Sequence, residues 1–334
     1  MFACRLSVLS ALGSVVQLMS IDENVDALLR LLPEMEESLG PDHPDLADYL
    51  ISLGLLLYHD SRFEEAESLF LRALAMRERL LAVDHPDIAA ALNHLGLVYL
   101  AEGRFSEAEP LFKKALSVQE KTLGAEHVSI SAGLTNLGDL YKTLNRYSEA
   151  EEVLRRALKI RERYLGAEDA SLVEILNTLA TIYFEQGKTT EAEPLFRRVL
   201  KIEERLHGAE HPSVANALNN LASLFTDADQ FETAEPMHRR ALSIREKVLS
   251  PDHPKVAESL NNLGWLYHQR GNHGRAESLY KRAIEIWERA LGPEHAFVAA
   301  GLENYADLLR KTDRASEALT LDRRVQQIRS KFAD

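Results

Sequence analysis

An all-α fold, a right-handed superhelical solenoid of antiparallel helix pairs, is predicted from three observations. Markers recur every 42 residues, each interval holds two stretches of helical apolar spacing with a turn between them, and a small residue sits at one fixed position in each stretch. The interval is set by His43-Pro44, His85-Pro86, His211-Pro212 and His253-Pro254, which stand at multiples of 42. His127, Asp169 and His295 hold the same position without the proline. A stricter column is alanine throughout: Ala66, Ala108, Ala150, Ala192, Ala234, Ala276 and Ala318. Seven units therefore share one frame.

Within the unit that begins at His85, the residues Leu92, Leu95, Gly96 and Tyr99 follow helical spacing. Gly103 interrupts, and Ala108, Leu111, Phe112, Ala115 and Val118 resume it. The Gly96 position holds Gly54, Gly138, Ala180, Ala222, Gly264 and Ala306 elsewhere, and side chains this small let two helices approach closely, so the Gly96 and Ala108 columns mark where a pair crosses. Ser106 with Glu109, Ser148 with Glu151 and Thr190 with Glu193 have capping-box spacing and predict the start of each second helix, behind an aromatic such as Phe105 or Tyr147. Pro110, Pro194 and Pro236 are expected near the first turn, where a missing N–H costs least, and the prolines after the histidines suit the first position of the following helix.

The order Leu95-Gly96, Tyr99, Ala108, Phe112, Ala115 resembles the tetratricopeptide repeat. The 42-residue form, with Leu123-Gly124 and His-Pro linkers, is similar to the repeats of kinesin light chains and their bacterial relatives. The resemblance covers residues 40–331 and is far more specific for fold than for function. Carried backwards, the frame sets Leu39-Gly40 on Leu81-Ala82 and Ile21 on Phe63, with residues 4–17 at the place of a first helix. Residues 1–40 are thus expected to form a degenerate repeat or cap, with Asn24 breaking the alanine column, a reading preferred over a weak signal peptide in residues 1–20. Residues 41–297 are expected to form six regular helix-turn-helix repeats and 298–334 a capping repeat, because Asp322 replaces the Phe70, Phe112 or Phe196 of earlier units and Arg323, Arg324, Gln326, Gln327 and Arg329 follow. That polar ending predicts a complete array.

Composition narrows the function. The 334 residues are 46% hydrophobic and 27% charged, with 11 Pro and 16 Gly, as in folded globular chains. A net charge of −13 repels phosphate backbones and anionic bilayers, so neither nucleic acid nor membrane is an expected partner. The single cysteine, Cys4, excludes an internal disulfide and any zinc site built on several thiolates, and fits a cytoplasmic location. The histidine ladder does not make a metal site either, since equivalent residues of packed repeats lie roughly 10 Å apart while ligands converge within about 2 Å of one ion. These histidines are read as linkers that stop and restart helices. The dibasic pairs Lys113-Lys114, Arg155-Arg156, Arg197-Arg198, Arg239-Arg240, Lys281-Arg282 and Arg323-Arg324 are read as a solvated outer face neutralised by acids one turn before them, among them Glu109, Glu151 and Glu193.

The first helices carry the candidate site. Asn93, Asn177, Asn219 and Asn261, with Asn136, Asn220, Asn262 and Asn304, recur mid-helix although asparagine is a poor helix former. Its amide pairs with both the N–H and the C=O of an extended backbone, and the resemblance implies that this face lines a concave, peptide-binding groove. An alternative stands beside it, in which the amides bond along adjacent helices and only set the superhelix. Trp265, one turn after Asn261, is either an aromatic anchor for a partner or partly buried between units, whereas Trp287, next to the buried Ile286 column, is expected in packing. The same face carries Glu174, Glu258, Asp139, Glu303 and Asp307 against Lys142, Arg310 and Lys311, which favours neutral or basic peptides. No glycine-rich phosphate loop, nucleophile motif or helical metal pattern is present, so no enzyme activity and no cofactor are expected. The function expected is that of an adaptor or scaffold for a protein or peptide partner. The alternative is a self-assembly module whose solenoid edges make homo-oligomers, with the oligomeric state left open by the sequence.

Overall fold

The computed structural model describes residues 21–331. Among them there are fifteen α-helices and no strand: α1 (Ile21–Leu39), α2 (Pro44–His59), α3 (Phe63–Leu80), α4 (Pro86–Ala101), α5 (Phe105–Leu123), α6 (Ile130–Thr143), α7 (Tyr147–Leu165), α8 (Leu172–Glu185), α9 (Thr189–His207), α10 (Pro212–Asp227), α11 (Phe231–Val248), α12 (Pro254–Gln269), α13 (His273–Leu291), α14 (Ala296–Lys311) and α15 (Ala315–Ser330). The proposed first helix within residues 4–17 lies outside the described residues. The chain divides into two compact units, one ending at Tyr164 and the other beginning at Leu165. In each unit the helices form hairpins, and each hairpin packs on the one before it.

The turn inside each hairpin needs one residue in the left-handed region. The position is filled by Ser61, Gly103, Asn145, Gly187, Asp229, Gly271 and Asp313, all with φ between 56 and 80°. Where glycine is absent, Ser, Asn and Asp occupy it; Asn and Asp are the side chains that tolerate this region best. The linker histidines act as read: Nδ1 of His43, His85, His211, His253 and His295 accepts from the backbone N–H two residues on, at 3.1–3.2 Å. Pro44, Pro86, Pro212 and Pro254 take the first helical position, where no N–H is needed. His127 and Asp169 also accept from the backbone N–H two residues on, but α6 and α8 begin one residue later than that donor, so these side chains do not cap the helix itself.

Second helices start differently from the expectation. They begin at Phe105, Tyr147 and Thr189, so Ser106, Ser148 and Thr190 lie inside the helix and do not cap it. The residue at the cap is Arg104, which instead forks both Glu107 oxygens at 2.8 Å, and Thr190 donates to Glu191 at 2.6 Å. The serine stands two places too late, because the left-handed turn residue hands the chain to a charged cap before the first helical residue. Pro110, Pro194 and Pro236 likewise sit at the sixth helical residue, one turn deeper than expected. All three are exposed, so water reaches the carbonyl that loses its partner.

Both small-residue columns are buried, and the Gly96 column makes the closest approach. A Cβ added to Gly54, Gly96, Gly138 or Gly264 would stand 2.6 Å from Phe70, 2.6 Å from Phe112, 2.4 Å from Leu154 and 2.8 Å from Tyr280, always on the second helix of the same pair. Each crossing is thus a missing side chain filled by a large one. Gly96→Val is expected to lower unfolding free energy by about 1–3 kcal/mol through overpacking, read from urea denaturation at unchanged m-value. His85→Ala, which deletes one cap, is expected to cost about 1 kcal/mol in the same assay.

Candidate protein-binding face

The exposed side of the first helices is where the candidate residues meet. In the N-terminal unit, Asn136 Nδ2 on α6 donates to Asn93 Oδ1 on α4 at 2.9 Å. In the C-terminal unit, Asn304 Nδ2 on α14 donates to Asn261 Oδ1 on α12 at 3.1 Å. Successive first helices are therefore tied by amide bridges, and the alternative role considered for the asparagines is real for these four. Asn219 does not reach the surface at all. It is 3% exposed, donates to Ser259 Oγ on α12 at 3.0 Å, and its Oδ1 lies 2.9 Å from His238 Nδ1 on α11. Its expected place in a groove is corrected: its partners are inside the protein.

The remaining three behave otherwise. Asn220 is exposed and Asn262 half-buried, and neither side chain bonds to the described residues. The Oδ1 of half-buried Asn177 on α8 is shielded from solvent without a hydrogen-bond partner. Trp265 is half-buried, its indole N–H 3.4 Å from Asp227 Oδ1 on α10. Trp287 is 3% exposed and donates to the Pro254 carbonyl at 3.2 Å, the packing role expected of it.

Several charges along this face are already paired. Glu258 holds Arg245 and Lys255 at 2.9 and 2.7 Å, Glu303 holds Arg329 at 2.7 Å, and Arg310 is clamped by Asp322 at 2.6 Å. Asp322 thus turns inward to its own hairpin. The opposite side, built from second helices, is a regular lattice. The first base of a dibasic pair bonds the acid four residues before it, as Arg155 does Glu151, and the second reaches the preceding unit, as Arg156 does Glu120 and Arg282 does Glu246. Glu109 and Glu277 are hubs. Arg146 above all, with Lys113, holds the Glu109 carboxyl down at about 2, and Lys281, Tyr305 and Arg314 do the same for Glu277. A basic track of this kind is already neutralised.

A buried polar network inside the C-terminal unit was not anticipated. Arg245, 1% exposed, donates to the Lys255 carbonyl, to Ser259 Oγ and to Asn216 Oδ1 at 2.6–2.9 Å while pairing with Glu258. His238, 1% exposed, bridges Asn219 and Thr226. Its signal in the sequence was a break in a column, since His238 stands where Phe70, Phe112 and Phe196 stand in other units.

Hairpins of this length, with a small residue at the crossing and a stacked neighbour, define a helical repeat protein of the kind that presents extended surfaces. The tetratricopeptide repeat models match residues 46–87, 87–163, 135–202, 171–247, 214–286 and 267–331, so the chain belongs to the tetratricopeptide repeat family. No curated protein matches it. Among solved structures, nearly identical repeats of a kinesin light chain from Podospora anserina are 25% identical over 62% of this chain and 98% of theirs, with a TM-score of 0.51. BtubC from P. vanneervenii is 24% identical, covering 82% and 93%, TM-score 0.55, and the quorum sensor NprR from B. thuringiensis is 14% identical, covering 95% and 86%, TM-score 0.72. The last two show the fold alone.

Burial lowers the His238 pKa to about 4. Above the unfolded value of about 6.5 both states are neutral and this histidine adds no pH dependence. Between pH 6.5 and 4 only the unfolded chain takes the proton, so stability falls with acid, by on the order of 3 kcal/mol in all at 1.36 kcal/mol per unit. Urea denaturation at pH 7.5 and 4.5 is expected to show this loss, and His238→Phe to show a smaller one.

Proposed function

We propose that this protein is an adaptor that holds an extended segment of another protein along the exposed side of its first helices. The observation that carries the reading is the split among the asparagines. Asn93, Asn136, Asn261 and Asn304 bridge helices and Asn219 is consumed internally, whereas Asn220 and Asn262 keep free amides and Asn177 keeps an unpaired, shielded oxygen. An unsatisfied buried acceptor costs about 1–3 kcal/mol, and the N–H of a guest backbone would satisfy it. Membership of a repeat family that serves protein–protein interaction supports the same conclusion. The partner segment is neutral or basic, a reading supported by the five acids against three bases that this face carries in the sequence.

Peptides selected from a random library on the immobilised protein provide the test. The triple variant Asn177→Ala, Asn220→Ala, Asn262→Ala is expected to lose at least about tenfold in affinity, 1.4 kcal/mol, with its circular dichroism unchanged. Equal affinity in the variant rejects the groove. Asn219 is left out of the variant, since its loss would remove one hydrogen bond each from buried Ser259 and buried His238. Mass measurement in solution checks the competing self-assembly reading, which predicts a stable oligomer that selects no peptide.

A further inference from the structure

On α12, Trp265 has a carboxylate neighbour on α10 and another stands at the equivalent position of α14. Asp227 ends α10 with Oδ1 3.4 Å from the indole N–H, and α12 packs on both α10 and α14. Asp307 stands one 42-residue step after Trp265, at the same register of α14. Neither carboxylate has a lysine or arginine within ion-pair distance among the described residues, whereas Glu235 and Glu277 on the second helices alongside do. Burial, reinforced by the charge of Asp229, raises the Asp227 pKa, as befits a carboxylate short of a counter-ion.

A second observation is independent of these charges. His268, one turn along α12, has a side chain that is 0% exposed, and neither ring nitrogen has a hydrogen-bond partner. Its Nε2 faces Asp307 Oδ2 at 3.7 Å, too far for a bond. Its ring meets Trp265 edge-on with centroids 5.6 Å apart. A small rotation of Asp307 would let one oxygen accept from His268 Nε2–H and turn the other outward.

We propose that Asp227, Trp265 and Asp307 form a seat for an arginine side chain of the bound segment, with His268 as the positioning residue for Asp307. This deepens the groove reading and rests on it. A guanidinium stacks on the indole face and donates in plane to carboxylates at its edges, which a neutral side chain cannot do and an ammonium does less well. Lys311, four residues after Asp307 and without an ion pair among the described residues, opposes the incoming charge and so tunes the seat.

The chain has two tryptophans, and their indole N–H cross-peaks in ¹⁵N-labelled protein, assigned with Trp265→Phe, report on the seat and on the core separately. The probes are acetyl-Gly-Ser-Arg-Ser-Gly-amide and its Lys, Gln and Glu analogues. The Arg peptide is expected to move the Trp265 peak saturably at millimolar concentration and leave Trp287 still, the Lys peptide to bind more weakly, and the Gln and Glu peptides not at all. Asp227→Asn and Asp307→Asn should each weaken binding about threefold and Lys311→Gln tighten it by a similar factor. His268→Phe should weaken the Arg peptide while leaving the residual response of Asp307→Asn unchanged. Equal shifts from the Arg and Gln peptides, or full affinity in the folded double variant Asp227→Asn, Asp307→Asn, overturn the seat. Library peptides lost by the asparagine variant but held by that double variant would also overturn it, while leaving the groove in place.

Discussion

The contact on which the rest of the structure depends is the one between a missing side chain and a ring. At Gly96 and Phe112, and again at Gly54 and Phe70 and at Gly264 and Tyr280, a glycine lets the second helix of a pair lay a large side chain directly against the first helix's backbone. Close packing at that point gives the hairpin a fixed crossing, and the column of fully buried alanines, from Ala66 to Ala318, lets each second helix sit equally close. Dispersion and burial at these crossings are local, so each unit is stabilised mainly by itself and its neighbour.

Polar chemistry is layered onto this apolar scaffold in two ways. On the second helices it repeats with the frame: Glu109, Glu235 and Glu277 each collect an arginine from the following turn and a tyrosine hydroxyl, at 2.7–3.3 Å. Such partly exposed pairs add little stability singly, but they neutralise a face whose dibasic pairs would otherwise attract anions. In the last three hairpins polarity takes over one packed position instead, buried in the first two of them and exposed in the third. The place of Leu100 and Phe112 is taken by Thr226 with His238, by His268 with Tyr280 and by Arg310 with Asp322, so the same geometry holds a hydrogen-bonded pair, an unsatisfied pair and an ion pair in turn. The unsatisfied one lies beneath Trp265. A network of this sort costs stability where it is incomplete and rigidifies the interior where every member is satisfied.

The tetratricopeptide fold was legible because its determinants are short-range. A 42-residue period, the apolar spacing, the histidine caps and the glycine column all act within one hairpin, and each is visible as a column of like residues. Where the reading of local structure failed, at Ser106, Ser148 and Thr190, the competing signal was also local: a basic residue and, before it, a left-handed turn residue placed the helix start two residues earlier than the capping-box pattern did.

The candidate site was legible only in part, and for a physical reason. The sequence alone determined that asparagines would line up on successive first helices, since register along a helix fixes which residues share a face. Only the tertiary structure decided which of them bridge to a neighbour, which one is buried against His238, and which make no side-chain bond within the described residues. Hydrogen-bond partners drawn from helices forty residues apart depend on interhelical distance and rotation, and one repeat's sequence does not encode either; the packing of two repeats does.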